Sequence, residues 1–319
     1  MVTVGVDLGG TNVATVVVDD TDTVLGRAKL RTPTTGDRTA VVDVIVAAVH
    51  AALGDADLEL ADATGIGVGT PGVVIGGTIG GASNVPGFAE RFGLRDLLVG
   101  QLGLPVRVTN DVTAAAVGEH RCGAGRGASD LLCVFVGTGV GGGLVLDGRA
   151  YEGGGGAGEF GHLIVRQDGE VCPCGRRGCV EAYAGRRAMT LAAQRARSAG
   201  RPTILFDVAE ERGKPRPTSG VFREALARGD VLVADLLDEA IAALGAGIAS
   251  AVNLLDVDLV VLGGGLADKL GADFRRRVEA AAMPLLFLQP TRVRLVAAEL
   301  GDDGGAVGAA LLGRPPTVV

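Results

Sequence analysis

The stretch VTVGVDLGGTNVATVVVDD, residues 2–20, decides the fold. Val2–Asp7 is rich in β-branched residues, which predicts a strand. Two glycines follow it, and a second apolar run, Val13–Val18, begins directly after the turn. The pattern predicts two strands joined by a glycine turn, with Asp7 at the end of the first strand.

The same pattern returns in LLCVFVGTGVGGGLVLDG, residues 131–148, about 130 residues later. This weak internal repeat indicates duplicated halves. The turn over 137–142 also matches G-x-G-x-x-G, but a dinucleotide-binding unit needs a helix after that motif. Leu144–Leu146 predicts a returning strand instead, so the sequence disfavours a dinucleotide site.

Strands and helices alternate through the rest of the chain. The predicted strands are 23–30, 65–74 with an interruption at 70–72, 106–109, 259–262 and 293–297. The predicted helices are 40–53, 112–119, 234–253, 274–282 and 304–312. Residues 198–220, rich in Pro, Gly and charge, give no clear prediction. The alternation over 319 residues predicts an α/β chain of two domains.

The glycine turns are candidates for phosphate binding, because successive glycines let backbone N–H groups approach an anion. Plain hairpin turns are the alternative interpretation. The sequence contains no G-x-x-x-x-G-K-[ST] motif, which excludes a P-loop. Asp7 is a candidate for holding Mg²⁺ through water, since Mg²⁺ prefers carboxylate oxygens and retained waters. A cap of the turn is its alternative role.

Asp111 is the candidate general base. It follows a predicted strand and precedes a predicted helix, so its carboxylate lies at a strand-to-helix junction. Phosphoryl transfer needs an acceptor for the hydroxyl proton, and an ordinary aspartate, with a pKa of about 3.9, is ionised at neutral pH. An N-cap of the helix is the alternative, and the two roles are compatible. Asn84 is a weaker candidate, since Asn beside Pro and Gly is common in turns.

Three cysteines fall within CPCGRRGC, residues 172–179, and a histidine lies ten residues upstream. Thiolate and imidazole are the ligands that zinc prefers, and four of them complete a closed structural site: His162, Cys172, Cys174 and Cys179. A disulfide would leave one cysteine unpaired, and C-x-C spacing fits disulfide geometry poorly. Inert or redox-active thiols remain the alternative. A metal here would also fix two flanking acids suited to a polyol, Glu159 and Glu181.

Composition restricts the possible functions. Hydrophobic residues make up 47% of the chain, and the formal net charge is −7, which argues against general binding to nucleic acid or acidic membranes. No apolar run approaches the ~20 residues of a membrane span, and no signal peptide is expected. The cysteine pattern is typical of the reducing cytosol, and Cys122 and Cys133 are interpreted as small core residues. We expect a cytoplasmic enzyme.

Together these motifs resemble the ROK family of bacterial sugar kinases and regulators over nearly the whole chain. DLGGTN (7–12) and GTGVGGG (137–143) are similar to its two phosphate elements, and LGGG (262–265) to its adenosine element. GEFGH (158–162) with CPCGRRGCVE (172–181) resembles its most specific feature, the zinc-and-sugar signature. The resemblance implies an α/β, actin-like (ribonuclease H-like) two-domain sugar kinase fold with an inter-domain cleft. The implied domains are 1–111 with a C-terminal helix of about 304–319, and 112–303 carrying the zinc site.

The resemblance also implies roles for residues. Asp111 is the expected catalytic base. The expected hexose contacts are Asn84, Asn110, Asp111, Glu159, His162 and Glu181. The expected contacts of ATP and Mg²⁺ are Asp7, Gly9, Gly10, Thr11, Asn12, Gly137, Thr138, Gly139, Gly263, Gly264 and Gly265. The expected structural Zn²⁺ ligands are His162, Cys172, Cys174 and Cys179. The histidine would give one ring nitrogen to zinc and the other to a sugar hydroxyl, since metal binding at one nitrogen fixes the donor at the other.

The implied activity is ATP-dependent phosphorylation of glucose at O6, as in ATP-dependent glucokinases. The cysteine run is shared with hexosamine kinases, so N-acetylglucosamine, N-acetylmannosamine and fructose remain alternative substrates. A sugar-responsive regulator is a minor alternative, because family regulators carry an N-terminal DNA-binding domain and no recognition helix is expected before residue 4. Sugar binding is expected to close the domains and exclude water. A homodimer or homotetramer is expected by analogy, with no nucleic-acid or membrane partner.

Overall fold

The computed structural model describes residues 1–35, 37–82 and 85–315. The chain forms two compact units. The first contains Met1–Ser129, Gly143–Gly158 and the C-terminal segment from Glu299, and the second contains Asp130–Gly142 and Glu159–Ala298. Asn84, one of the predicted hexose contacts, lies outside the described residues.

The first unit is built on a five-stranded sheet. The strands of this sheet are β1 (Val2–Leu8), β2 (Asn12–Asp19), β3 (Val24–Arg31), β4 (Ala63–Thr70) and β8 (Val106–Asn110). The short strands β5 (Val73–Ile75), β6 (Thr78–Gly80) and β7 (Phe92–Gly93) form a separate three-stranded sheet. The helices of the first unit are α1 (Arg38–Asp55), α2 (Leu94–Leu102), α3 (Asp111–Cys122) and, near the C-terminus, Gly304–Leu312. The main sheet has the order β3-β2-β1-β4-β8, with β1, β4 and β8 parallel.

The second unit contains most of the remaining elements. Its strands are β9 (Leu131–Val136), the start of β10 (Val140–Leu146), β12 (Leu259–Gly263) and β13 (Arg294–Ala297), while β11 (Arg149–Ala150) pairs with the end of β10 in the first unit. Its helices are α4 (Val180–Ala184), α5 (Arg186–Ser198), α6 (Leu205–Glu211), α7 (Ser219–Ala227), α8 (Val231–Leu255) and α9 (Gly265–Ala282); Gly304–Leu312 is therefore α10. β9, β12 and β13 are parallel.

The strand order repeats between the two five-stranded sheets. The first sheet runs β3-β2-β1-β4-β8 and the second β11-β10-β9-β12-β13, so each strand has a counterpart in the same place. β10 follows the turn over 137–139 as a strand, which confirms the predicted hairpin and removes the dinucleotide interpretation. The duplicated halves predicted from the repeat are confirmed in the topology.

Helix α1 shows how the sequence specifies an element and its core. The side chain of Asp37 accepts hydrogen bonds from the N–H groups of Thr39 and Ala40 and caps the helix. One face of the helix is fully buried, including Ile45 and Val49, and joins the hydrophobic core formed with β1 and β4. The predicted helix 40–53 is confirmed and extends by two residues at each end.

Glycines let the C-terminal helix α10 pack against β4 and α3. A Cβ at Gly67 in β4 would lie 1.7 Å from the carbonyl oxygen of Ala309, and one at Gly308 would lie 1.7 Å from that of Ala114. Neither position has room for a side chain, so these glycines allow backbone to approach backbone. The sequence analysis assigned a role, phosphate binding, only to the glycine turns; Gly67 and Gly308 instead serve contacts between elements.

A buried aspartate orders the start of the segment 198–220, whose sequence pattern is unclear. Asp230 caps α8 through Val233 N–H at 3.0 Å, and its other oxygen accepts hydrogen bonds from Thr203 and Ile204 at 2.6 and 2.8 Å. The Asp230 carboxylate therefore fixes the backbone directly before α6, within the segment 198–220 that also leads to α7. The sequence analysis missed these helices together with α2, α4 and α5.

The boundary between the units falls later than the predicted boundary at residue 111. Residues 112–129 lie in the first unit, where α3 packs on α10. Cys133 is fully buried, as predicted, whereas Cys122 is only half-buried. Within the part of the chain that the structure describes, no helix combines the length and apolarity needed to cross a membrane.

Candidate functional site

The carboxyl ends of three parallel strands meet at one edge of the first sheet. The register places Asp7 of β1 opposite Gly69 of β4, and Thr70 of β4 opposite Asn110 of β8. Asp111 follows directly as the first residue of α3. Ligands of open α/β sheets bind outside the carboxyl ends of the strands, so Asp7 and Asp111 lie at the edge where a site is expected.

Asn110, and not Asp111, is the N-cap of α3. Its Oδ1 accepts hydrogen bonds from Val112 N–H at 2.9 Å and Thr113 N–H at 3.2 Å, and its Nδ2 donates to the carbonyl of Gly72 at 3.2 Å. The N-cap interpretation of Asp111 is therefore wrong, because its neighbour already satisfies these amides. Asp111 Oδ1 accepts from Val112 N–H at 2.9 Å. The carboxylate thus lies in the first turn, where the helix dipole favours negative charge.

The first glycine turn connects β1 to β2 beside Asp7. Gly9 N–H donates to the carbonyl of Asn12 at 2.9 Å, and the Thr32 hydroxyl donates to the carbonyl of Gly9 at 2.7 Å. These bonds close the turn without the Asp7 carboxyl, contrary to the turn-cap alternative. Gly10 and Thr11 are exposed at the tip of the turn.

Asp7 has an unusual electrostatic environment. Burial raises its pKa from 3.8 to about 7, and the negative charges of Asp111 and Asp302 add to the rise against the opposing effect of Lys29. A Cβ at Gly305 of α10 would lie 2.7 Å from Asp7 Oδ2. A carboxyl that is costly to ionise in its own fold is a good position for a cation, because the cation would stabilise the charged form.

Replacing Asp7 by Asn is expected to remove a pH-dependent loss of stability. The folded protein keeps the Asp7 proton up to about pH 7, whereas the unfolded chain releases it near pH 4. Wild-type stability therefore falls through this window as pH rises, by about 2–4 kcal/mol from this group. Urea unfolding without Mg²⁺ should show Asp7→Asn more stable than the wild type at pH 8, with a smaller difference at pH 5. Asp43→Asn, which removes an exposed acid of α1, is the control. An unchanged pH slope in Asp7→Asn would contradict the shift.

The second unit brings two glycine segments together at its own sheet edge. β9 ends before Gly137–Gly139, and β12, paired to it, ends at Gly263 opposite Phe135. A Cβ at Gly264 would lie 2.7 Å from Val136 N, so the two segments are in backbone contact. Gly264 is the N-cap of α9 and Gly265 is its first residue, so the N-terminus of this helix adds a favourable end for an anion.

Arg186 supports the second glycine turn and was missed in the sequence analysis. Its guanidinium donates to the hydroxyls of Thr138 at 2.9 Å and Ser219 at 3.0 Å, and its N–H donates to the carbonyl of Gly137 at 3.1 Å. Burial lowers the pKa of its guanidinium, and the positive charge of Arg216 lowers it further. A half-buried cation beside a glycine turn is suited to bind phosphate. No sequence motif marks it.

The four predicted zinc ligands lie together in the second unit. The candidate ligand atoms of His162, Cys172, Cys174 and Cys179 are all within 4.8 Å of one another. Cys172 Sγ is 3.8 Å from His162 Nδ1, and Cys174 Sγ is 3.8 Å from Cys179 Sγ. A tetrahedron with Zn–S bonds of about 2.3 Å has edges of about 3.8 Å. The residues fit a closed, structural zinc site, and we call them the metal cluster.

The protonation of these thiols depends on their contacts. Burial raises the pKa of Cys172 to about 12. Burial also acts to raise the pKa of Cys174, but hydrogen bonds from Arg176 N–H and the neighbouring thiols outweigh it and lower the value to about 7. A cation that binds three thiolates must displace their protons, and Cys174 is the thiol that loses its proton most readily.

Two carboxylates flank the metal cluster: one lies beside its histidine, and the other accepts a hydrogen bond from the second glycine turn. Glu159 Oε2 is 3.9 Å from Nε2 of His162, the ring nitrogen other than the one nearest Cys172. Glu181 Oε2 accepts a hydrogen bond from Val140 N–H at 2.9 Å, and a Cβ at Gly139 would lie 2.2 Å from it. Glu181 therefore connects the segment of the metal cluster to the second glycine turn.

The structure thus assembles most predicted residues within each unit. The first unit brings together Asp7, Gly9–Asn12, Asn110 and Asp111 at one sheet edge. The second brings together the two glycine segments at its sheet edge, and the metal cluster with Glu159 and Glu181.

Two α/β units of equal strand order, each with a glycine turn at the carboxyl edge of its sheet, define an actin-like protein. The chain belongs to the ROK family, whose family model matches residues 3–315. It is 36% identical to the glucokinase of Streptomyces coelicolor over 98% of both chains. The crystal structure of a ROK family glucokinase from Streptomyces griseus, in complex with glucose and AMPPNP, is 36% identical, covers 98% of this chain and 99% of its own, and superposes with a TM-score of 0.79. The N-acetylmannosamine kinase of Salmonella typhi is 30% identical over the full length of both chains.

Proposed function

We propose that this protein transfers the γ-phosphoryl group of ATP to O6 of a hexose, with glucose as the preferred substrate. The observation that carries the proposal is the position of Asp111 at the carboxyl edge of the first sheet, beside Asp7. The similarity to glucokinases over 98% of the chain supports glucose.

In the first unit, Asp111 acts as general base. The new bond forms between O6 of the hexose and the γ-phosphorus, the bond between that phosphorus and the β,γ-bridging oxygen breaks, and the O6 proton passes to the Asp111 carboxylate. Asp7 would hold Mg²⁺ through water, and the N–H groups of the exposed Gly10 and Thr11 would face phosphate oxygens. Bound Mg²⁺ would supply charge neutralisation at the phosphates. Asn110 fixes the start of α3 and so orients Asp111.

In the second unit, the glycine turns bind nucleotide phosphates and Arg186 adds a fixed positive charge beside Thr138. Glu159, His162 and Glu181 hold the hydroxyl groups of the hexose, with Asn84 as a further proposed contact. The four ligands of the metal cluster would hold Zn²⁺, which supplies rigidity and a fixed orientation for the histidine ring. His162 keeps Nε2 on the side of Glu159 for a hydroxyl group.

A hexose carrying an acylated amine is the second candidate substrate, because the N-acetylmannosamine kinase matches the whole chain. The test is a coupled assay of ADP release with glucose, mannose, fructose, N-acetylglucosamine and N-acetylmannosamine. We expect kcat/KM for glucose to exceed that for each N-acetyl sugar by at least about tenfold, since buried polar groups paired with one substrate discriminate strongly against another. Activity on N-acetyl sugars alone would reverse the choice. Turnover with no hexose would contradict the proposal, and a sugar-dependent gel shift would favour the regulator.

The remaining expectations of the sequence analysis stay predictions. We propose a cytoplasmic location because none of the five cysteines, all within the described residues, forms a disulfide. A homodimer or homotetramer and a role in glycolysis are proposed on family analogy.

A further inference from the structure

A basic pocket of about 430 Å³ lies in the first unit. It is formed by β8, the C-terminal half of α3, the β10–β11 hairpin and the end of α10. Five basic side chains line it: Arg107, His120, Arg121, Arg149 and Arg314. Val117, Val145 and Leu311 supply apolar lining. We use the name basic pocket for this set of residues.

The charges of the basic pocket are only partly balanced. Arg107 pairs with Glu152 at 2.8 Å. Arg121 and Arg314 share Asp22, at 3.3 and 2.7 Å. Among the described residues, Arg149 has no ion pair within 4.0 Å, and its side chain is exposed. Four guanidinium groups therefore line the basic pocket, and two carboxylates, Glu152 and Asp22, form ion pairs with three of them.

Such an arrangement attracts anions. Like charges gathered in one concave site create a positive potential that raises the local concentration of negatively charged ligands. A protein of net charge −7 has acids available to separate its arginines, yet this pocket collects them. Guanidinium groups present planar pairs of donors that match phosphate oxygens and bind them in bidentate fashion.

We propose that the basic pocket binds a doubly charged phosphate group, carried either by an inorganic phosphate or by a small phosphorylated metabolite. The pocket is separate from the proposed catalytic edge. Asp111 begins α3 while His120 and Arg121 lie in its last turn, roughly 15 Å away at 1.5 Å per residue. The inference needs no nucleotide or hexose and stands independently of the proposed function.

Calorimetric titration of the full chain tests the site, with three probes used separately: inorganic phosphate, pyrophosphate and glucose 6-phosphate. We expect saturable binding of at least one of them at constant ionic strength. The test variant is Arg149→Gln, because Arg149 is exposed and its loss breaks no ion pair with a described acid. Its affinity should fall about tenfold, the effect of one charge-assisted hydrogen bond. Arg149→Lys, which keeps the charge and loses the fork, should weaken binding less.

Arg223→Gln is the matched control, since Arg223 is an exposed arginine of α7 in the second unit and removes the same charge. It should bind as the wild type does. The glycine turns also bind phosphate in the proposed function, but binding there is equal in all variants, so equal affinity of Arg149→Gln and wild type would overturn the basic pocket. Absence of saturable binding below about 10 mM for all three probes would overturn it too. The preferred probe identifies the source of the phosphate group.

Discussion

Asp111→Asn is expected to lower kcat about 10²–10⁴-fold, the usual contribution of a positioned general base. The amide has nearly the same shape as the carboxylate but cannot accept the O6 proton. The fold should tolerate the change, because Asn110 caps α3 and the lost helix-dipole interaction costs only about 0.3–1 kcal/mol. Steady-state kinetics with glucose and ATP, together with calorimetric titration of glucose, measure the two effects separately. Glucose affinity should be retained.

The control is Asp96→Asn. Asp96 is also an acid in the first turn of a helix of the first unit, and its side chain is 73% exposed. This variant should keep wild-type kcat. Retention of more than about a tenth of wild-type kcat by Asp111→Asn would contradict the general-base assignment. Loss of glucose affinity by Asp111→Asn would instead indicate a role in positioning the sugar.

The carboxyl edge of the first sheet shows what a single sequence can predict. Alternating apolar runs located β1 and β8 to within a residue, and parallel strands bring their carboxyl ends to one edge. The sequence did not reveal that Asn110 is the N-cap of α3 and that Asp111 is its first residue. Both residue types are good N-caps, and only the backbone geometry decides which side chain accepts the amide hydrogens.

Contacts between distant parts of the chain escaped prediction. Arg186 donates to Thr138, 48 residues away in the sequence, and no local sequence pattern predicts a contact over such a separation. Gly67 and Gly308 allow α10 to pack closely against β4 and α3, and no local sequence pattern marks this role. The metal cluster was predictable because its ligands are close in sequence, so that spacing and chemistry alone indicate the site.

Cys174→Ser is expected to lower stability by several kcal/mol, on the order of 3 or more, because binding of a structural metal is part of the folding free energy. A loss of about 3 kcal/mol corresponds to a fall in Tm of roughly 4–5 °C for a chain of 319 residues. Cys174 is exposed, so its replacement leaves no cavity and the loss has to come from the ligand. Metal analysis of the wild type should give about one zinc per chain, and thermal unfolding of both proteins measures the difference.

Cys122→Ser is the control for loss of a thiol, since Cys122 is half-buried and lies in the first unit, apart from the metal cluster. A loss of stability no greater than that of Cys122→Ser would contradict the zinc site.

The KM values for glucose and ATP test whether the metal cluster also positions Glu181. Glu181 follows the ligand Cys179 by two residues and accepts the Val140 N–H of the second glycine turn. If the metal cluster positions Glu181, Cys174→Ser should raise KM for glucose and also KM for ATP, whereas a purely local metal site would leave both unchanged.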